Sequence, residues 1–438
     1  MPQMSSIGWQ QLASGRDNPT AGTRIATTVI LLLFVAAATF SGARKHVTQG
    51  FDELAHVSYV AEMQHRTIFW PRLENLRLLD AQSFRFTPEA NYLNHPPFYY
   101  ALLAAVGPNL EGHPAAAFMH RLLNVAIAAI GLAAALAIGL FGGFERRLFY
   151  AYAVPLACIP VLAPLAGAVN PDNMAFAGGA ATMLAAWMLV ATGRNGWLAA
   201  ALCAALVASW AKLTGLLLAG GFLTVTFIYL VWRGRFPRRW IVPLILAALL
   251  AAAPYVILTL QYGGPAPNTP AQLMLLESGA RATGWAELPR LAFGAYVLHF
   301  IADFVAGWMP ALAARSAWNY AALFFPLAAL ACALAGFAVS LRRLLRQAET
   351  ALDVVVVSGL LASGATLACN IVFSYGRHLA TGWMMDAYPR YYLPLAAAVP
   401  LAALSLVSAI EHPRWRNAAI VFLIANPLIF RVLGGPLG

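Results

Sequence analysis

Apolar residues run along this chain in long stretches broken by short polar or arginine-bearing connections, and the stretches predict its elements directly. Several reach the ~20 residues that an α-helix needs to cross a ~30 Å hydrocarbon core. Read in order, they predict spans over 25–43, 118–141, 148–168 and 174–191, then a short fifth ending near Trp210. Spans over 213–231 and 241–260 follow, then an eighth ending before Arg342, and spans over 351–371, 392–410 and 417–433. The expected architecture is therefore an all-α polytopic membrane protein of about eleven transmembrane helices. Two segments are too long to be connectors. Residues 44–117 hold amphipathic pieces such as His95–Val106, too short to span, which read as juxtamembrane helices. Residues 261–318 hold a turn-rich stretch, Gly263–Pro270, and an amphipathic piece with Trp285, Trp308 and Trp318, residues that suit a lipid–water interface. The chain divides into an N-terminal segment 1–24, a membrane module 25–410 and a last span with its tail, 411–438. No internal repeat appears, so an inverted-repeat transporter has no support.

Composition removes the soluble alternatives. Of 438 residues, 61% are hydrophobic and 10% charged, with mean hydropathy +0.69, far from a soluble domain's balance. The net charge of +11 does not point to nucleic acid, because its basic residues are spread as short clusters between apolar runs. Arg16 and Arg24, Arg146 and Arg147, Arg194, Arg233–Arg239, Arg342–Arg346, and Arg414 with Arg416 all fall on one side of the predicted topology. That is the positive-inside pattern, with the N-terminus in the cytoplasm. Ile25–Phe40 has no plain cleavage site after it and reads as a first span, not a signal peptide. Cys158, Cys203, Cys332 and Cys369 lie in apolar segments without a CxxC and read as small buried hydrophobes. Acidic residues gather on the opposite side, seven of the 17 in 44–117 alone, which marks either a solvated loop or a working face.

Four places on that outer side carry candidate chemistry. Directly after the first span stands Gly50-Phe51-Asp52-Glu53-Leu54-Ala55-His56-Val57-Ser58-Tyr59. As a helix it would put Asp52, His56 and Tyr59 on one face, at i, i+4 and i+7. Paired acids there suit a general base toward a hydroxyl, or a divalent-cation site with His56 or His95; a plain helix start fits equally. Asn94-His95-Pro96-Pro97-Phe98-Tyr99-Tyr100 opens an amphipathic helix, its prolines in the first turn where no amide donor is lost. Asp172, in Asn170-Pro171-Asp172-Asn173, either caps the next helix or joins Asp52 in one outer cavity. Lys212, one of only two lysines, stands at an outer turn as a candidate phosphate partner, with snorkelling to the interface as its plainer reading. Arg377 and Arg390 sit on the outer side against the orientation trend, among aromatic residues including Tyr388. Arginine matches phosphate oxygens bidentately, and an Asp386–Arg390 pair is the simpler alternative.

Taken in order, these segments resemble the glycosyltransferase C superfamily, in particular its bacterial aminoarabinose, protein mannosyl and rhizobial lipopolysaccharide transferases. Asp52-Glu53 resembles that family's acidic pair after the first span, and Asn94–Tyr100 its His-Pro-Pro-aromatic motif. Asn170–Asn173 resembles its second outer acid, Ala211-Lys212-Leu213-Thr214 its Thr-Lys-type turn, and Pro389-Arg390-Tyr391-Tyr392-Leu393-Pro394 its late Arg-Tyr-x-x-Pro segment. The resemblance runs from about residue 25 to 410 and departs in size. Many relatives carry further spans or a soluble C-terminal domain, which implies a reduced or different acceptor-binding part here.

The resemblance implies an enzyme of the bacterial inner membrane with its site facing the periplasm, working on lipopolysaccharide or another cell-envelope acceptor. It would move a hexosyl or pentosyl group, with inversion, from a polyprenyl-phosphate donor to a hydroxyl on a lipid, glycan or protein. Asp52 would be the base, with Glu53 or Asp172 positioning. Lys212, Arg377 and Arg390 would meet the phosphate. His56, Tyr59, His95, Tyr99 and Tyr388 would complete the substrate-binding set. No cofactor is implied beyond a candidate divalent cation, and no nucleic-acid partner. A sugar-lipid flippase without catalysis, or a surface-polysaccharide polymerase or ligase, is the rival reading.

Overall fold

The computed structural model describes residues 20–65, 69–307, 324–384 and 387–433. Arg16, Trp308, Trp318 and Asp386 lie outside them, and with them two of the interface tryptophans and the Asp386–Arg390 pair considered above. Helices occupy every predicted apolar run. In chain order they are α1 (Ala21–Arg44), α2 (Glu53–His65), α3 (Phe98–Val106), α4 (Ala116–Phe141), α5 (Arg146–Ala157), α6 (Leu162–Ala166), α7 (Asp172–Thr192) and α8 (Asn195–Ala211). They continue with α9 (Leu213–Trp232), α10 (Ile241–Tyr262), α11 (Pro270–Ala282), α12 (Phe293–Ala306), α13 (Phe324–Leu345), α14 (Ala351–Thr381), α15 (Ala398–Ser408) and α16 (Pro413–Leu433).

Among the described residues seven helices are long and apolar enough to cross a membrane: α1, α4, α7, α9, α10, α13 and α14. The 3₁₀ segment Pro389–Leu395 and α15, bent by 63° at their junction, make an eighth if taken as one span. The other predicted runs are shorter or interrupted. The 148–168 run breaks between α5 and α6 around Pro160, with Pro155 already inside the last turn of α5. Helix α8 has only 17 residues. Helix α16 starts with Arg414 and Arg416 in its first turn and has Pro427 inside it.

The outside of the bundle is apolar, as lipid requires. Leu32, Leu33, Leu249 and Leu260 expose more than half of their surface, while Tyr152, Phe149 and Phe222 fill the inside. Small residues let helices approach closely. A Cβ on Gly178 would meet the backbone of Ala208 at 2.5 Å, and one on Gly336 would overlap the carbonyl of Ala402. The cysteine expectation is corrected here: Cys203 and Cys369 are exposed on the outside of the bundle and Cys158 and Cys332 only half-buried. As small apolar groups, they sit as well against lipid as in a core. This chain is a multi-pass, essentially all-helical membrane protein.

The first long connecting segment, 44–117, is not purely helical. Asp80 Oδ1 accepts hydrogen bonds from the amides of Gln82 (3.2 Å) and Ser83 (2.8 Å) and from the Ser83 hydroxyl, and this local turn outcompetes helix. It joins two antiparallel strands, β1 (Arg77–Leu79) and β2 (Phe86–Ala90), with Arg77 opposite Ala90 and Leu79 opposite Phe86. Helices α2 and α3 and the hairpin share a second apolar core, built on Val57, Leu76, Tyr100 and Leu103 and joined to Tyr255 and Leu258 of α10. This layer covers one end of the bundle, where α1 and α10 finish and α7 and α9 begin.

Candidate active site

Between α1 and α2 the chain turns through Gly50, Phe51 and Asp52, whose φ angles of 89°, 60° and 57° are all left-handed. Glycine takes this conformation freely, but Phe51 and Asp52 pay on the order of 1–2 kcal/mol each, so surrounding contacts must hold them. The Asn170 side-chain amide donates to the Phe51 carbonyl at 2.9 Å, and the Tyr92 hydroxyl donates to Asp52 Oδ1 at 3.2 Å. Asp52 therefore stands before the helix, not on it. The expected i, i+4, i+7 face with His56 and Tyr59 does not form, because the left-handed turn re-aims its carboxylate.

That carboxylate starts a chain of alternating charge. Asp52 Oδ2 accepts from Arg390 Nη2 at 3.2 Å. Arg390 Nε lies 3.3 Å from Asp172 Oδ2, and Asp172 Oδ1 accepts from Lys212 Nζ at 2.9 Å. Only Asp52 is open, its side chain 46% exposed against 2% for Asp172 and 11% for Arg390. Local structure explains each placement. Asn170 Oδ1 accepts from the Asp172 amide and so starts α7 with its acid in the first turn. Lys212 is the single extended residue between α8 and α9. Arg390 rides on the 3₁₀ segment between α14 and α15. Aromatic faces frame the cations: Lys212 Nζ lies 3.8 Å from the Tyr391 ring centroid, and the Arg390 guanidinium 4.7 Å from that of Tyr388. Among the described residues Arg390 makes one hydrogen bond, to Asp52, so most of its five N–H donors remain for an anion.

Beneath the charges lies a neutral floor. Since Asn170 Nδ2 donates to His56 Nε2 (3.1 Å), His56 Nδ1 carries the proton and donates to the Tyr100 hydroxyl (2.9 Å). His56 and His95 stack with centroids 5.8 Å apart. Burial and the positive charges of Lys212 and Arg390 hold both well below the ordinary 6.5, with Arg377 adding to the field at His95. Burial and the neighbouring Asp52 carboxylate push the Tyr92 phenol up. Tyr59 stacks on Tyr100 at 3.9 Å, and Tyr99 is fully buried, donating to Asn124 Oδ1 at 2.7 Å.

The structure thus brings Asp52, Asp172, Lys212, Arg390, Tyr388, His56 and His95 together. Arg377 stands at the rim, donating to Asn268 at 3.0 Å over the Phe373 ring. Glu53 is set apart from the open carboxylate: it is 2% exposed, and both of its oxygens are taken by Arg121. Sequence reasoning missed Arg121, Tyr92 and Asn170. Arg121 carried a usable signal, an arginine near the start of an otherwise apolar run. A divalent cation on Asp52 with His56 or His95 does not fit these residues. Arg390 already faces Asp52, both His56 ring nitrogens are engaged, and among the described residues no three His, Cys, Asp or Glu side chains converge.

No family model matches the chain, and no curated protein does. Among solved structures, it is similar to ArnT from Cupriavidus metallidurans bound to undecaprenyl phosphate, with 15% identity and a TM-score of 0.45, over 92% of this chain and 63% of that one. It is also similar to ArnT from the same organism in the apo state, with 16% identity and a TM-score of 0.38, over 82% of this chain and 78% of that one. The chain therefore spans less than two thirds of the lipid-bound ArnT.

Proposed function

We propose that this chain is a membrane glycosyltransferase of glycosyltransferase C type, taking a sugar from a polyprenyl-phosphate donor on the non-cytoplasmic side of a bacterial inner membrane. The observation that carries this reading is the open Asp52 carboxylate 3.2 Å from an arginine that also flanks Asp172, itself paired with Lys212. A base and an anion cradle stand side by side at a rim reachable by lipid and by water. The acceptor hydroxyl gives its proton to Asp52 as its oxygen attacks the sugar's anomeric carbon. The bond from that carbon to the phosphate oxygen breaks with inversion, and the phosphate leaves as an anion beside Arg390 and Lys212. Such a leaving group needs cations and no general acid. Opposite unit charges ~4 Å apart gain about 4 kcal/mol at an effective dielectric near 20. The incoming phosphate competes with Asp52 for Arg390, so donor binding itself frees the base.

The orientation follows from the ends of the helices. Asp172 opens α7 and Arg194 follows its far end; Lys212 precedes α9 and Arg233 follows it. The arginine clusters thus lie opposite the site, which the positive-inside rule puts outside. A flippase would be expected to carry its charges at mid-membrane; here they gather at one end.

The test is transfer by the purified protein in detergent, with a polyprenyl-phosphate hexose or pentose and a panel of lipid, glycan and protein acceptors. Asp52→Asn is expected to lose about 10²–10⁴-fold in turnover, the usual worth of a positioned base, while folding normally. Turnover near that of wild type in Asp52→Asn would remove it as the base, and the lack of any donor consumption would overturn the enzyme reading.

A further inference from the structure

The buried pair Glu53–Arg121 is larger than an ion pair. Arg121 Nε and Nη2 donate to the two Glu53 oxygens at 2.8 and 2.7 Å, and Nη1 donates to the carbonyls of Gly42 (2.7 Å) and Lys45 (2.8 Å). Glu53 Oε1 also accepts from the amide of Val169 at 2.9 Å. One guanidinium on α4 therefore grips the end of α1 and, through Glu53, the start of α2. Glu53 in turn grips the loop that carries Asn170 and Asp172. These are the three strands of chain that converge on the left-handed turn, and Asp52 is one peptide bond from Glu53.

A buried ion pair is poor value as a stabiliser, since desolvating both charges offsets most of their attraction, and apolar replacements often do as well. What a bidentate fork supplies is direction. The Phe51–Asp52 backbone, left to itself, would relax out of its left-handed conformation and carry the carboxylate away from Arg390 and Tyr92. We infer that Arg121 is a positioning residue, which through Glu53 holds the Asp52 carboxylate at the site without touching substrate; the inference rests on the transferase reading above.

The test separates position from stability. In the double variant Arg121→Gln/Glu53→Gln two amides replace two charges, so no unpaired ion is left buried. It is expected to fold, to lose kcat by about 10²-fold, the typical effect of a displacement near 1 Å, and to keep the KM for the lipid-linked donor within about threefold. Arg121→Lys, which keeps the charge but not the fork, is expected to fall between the double variant and wild type, and it decides by the same readout should the double variant not fold. A folded variant with kcat within about threefold of wild type makes the pair a structural tie only, and a raised donor KM at unchanged kcat makes it part of the phosphate site; either overturns the proposal. If wild type itself transfers nothing, the transferase reading fails first. If wild type transfers and the variants do too, only the positioning role fails.

Discussion

At the scale of single residues, the site combines charged groups that need water with histidines that refuse it. His56 and His95 lie under Lys212 and Arg390, and burial with those charges keeps both neutral in the folded protein. In the unfolded chain each takes up a proton near its ordinary 6.5. The folded state, with depressed values, does not follow until the pH is well below that. The stability they contribute is therefore complete above pH 6.5 and is lost as the pH falls below it, by about 1.4 kcal/mol per pH unit for each histidine. The thermal midpoint of detergent-solubilised protein should fall between pH 7 and 5, and His95→Gln should flatten that fall. An equally steep fall in the variant would mean that His95 titrates in the folded state. The same burial makes these histidines an uncharged floor, beneath an Asp52 carboxylate whose side chain is 46% exposed.

At the scale of elements, the site depends on segments that are irregular by design of their sequence. The run 392–410 reads as one apolar span, but its start, from Pro389 through Pro394, forms a 3₁₀ segment set at 63° to α15, and this irregular segment carries Arg390 beside Asp172. Helix α14, at 31 residues and a rise of 1.5 Å each, is ~46 Å long, well beyond a ~30 Å core, long enough for Arg377 near its end to stand outside the hydrocarbon. The 3₁₀ segment is seated against α7: a Cβ on Gly179 would meet the Pro394 carbonyl oxygen at 2.5 Å and its Cα at 2.7 Å. Gly179→Val should thus push the segment off α7 at a cost of about 1–3 kcal/mol, as overpacked cores do, and take Arg390 with it. A raised KM for the lipid-linked donor, together with a lowered thermal midpoint, checks this. Gly364→Ala on α14, where a Cβ meets nothing within 4 Å, serves as the silent control. A Gly179→Val protein with wild-type donor KM would show that Arg390 is not held through this contact.

At the scale of the whole molecule, much was legible because a bilayer leaves few options: apolar runs had to be helices, and arginine clusters had to share a side. The carboxylates and cations that converge were likewise visible as charges out of place, Lys212 and Arg390 most plainly. What was not legible depends on side chains satisfying one another across distant elements. Neither the left-handed turn at Asp52 nor the burial of Glu53 against Arg121 has a local signature, since Asn170 and Arg121, 118 and 69 positions away from Asp52, impose them. The hairpin was hidden for the opposite reason, a purely local turn at Asp80 inside a segment read for its amphipathic helices. The division into two faces then gives a test of the molecule as a unit. In a background with the four native cysteines replaced, a cysteine at Thr48, exposed in the turn before Asp52, should react with a membrane-impermeant maleimide in intact cells. A cysteine at Arg194, beyond the far end of α7, should react only after permeabilisation. The reverse pattern would put Asp52 in the cytoplasm, where a nucleotide-sugar donor could reach it and a donor carried in the outer leaflet could not.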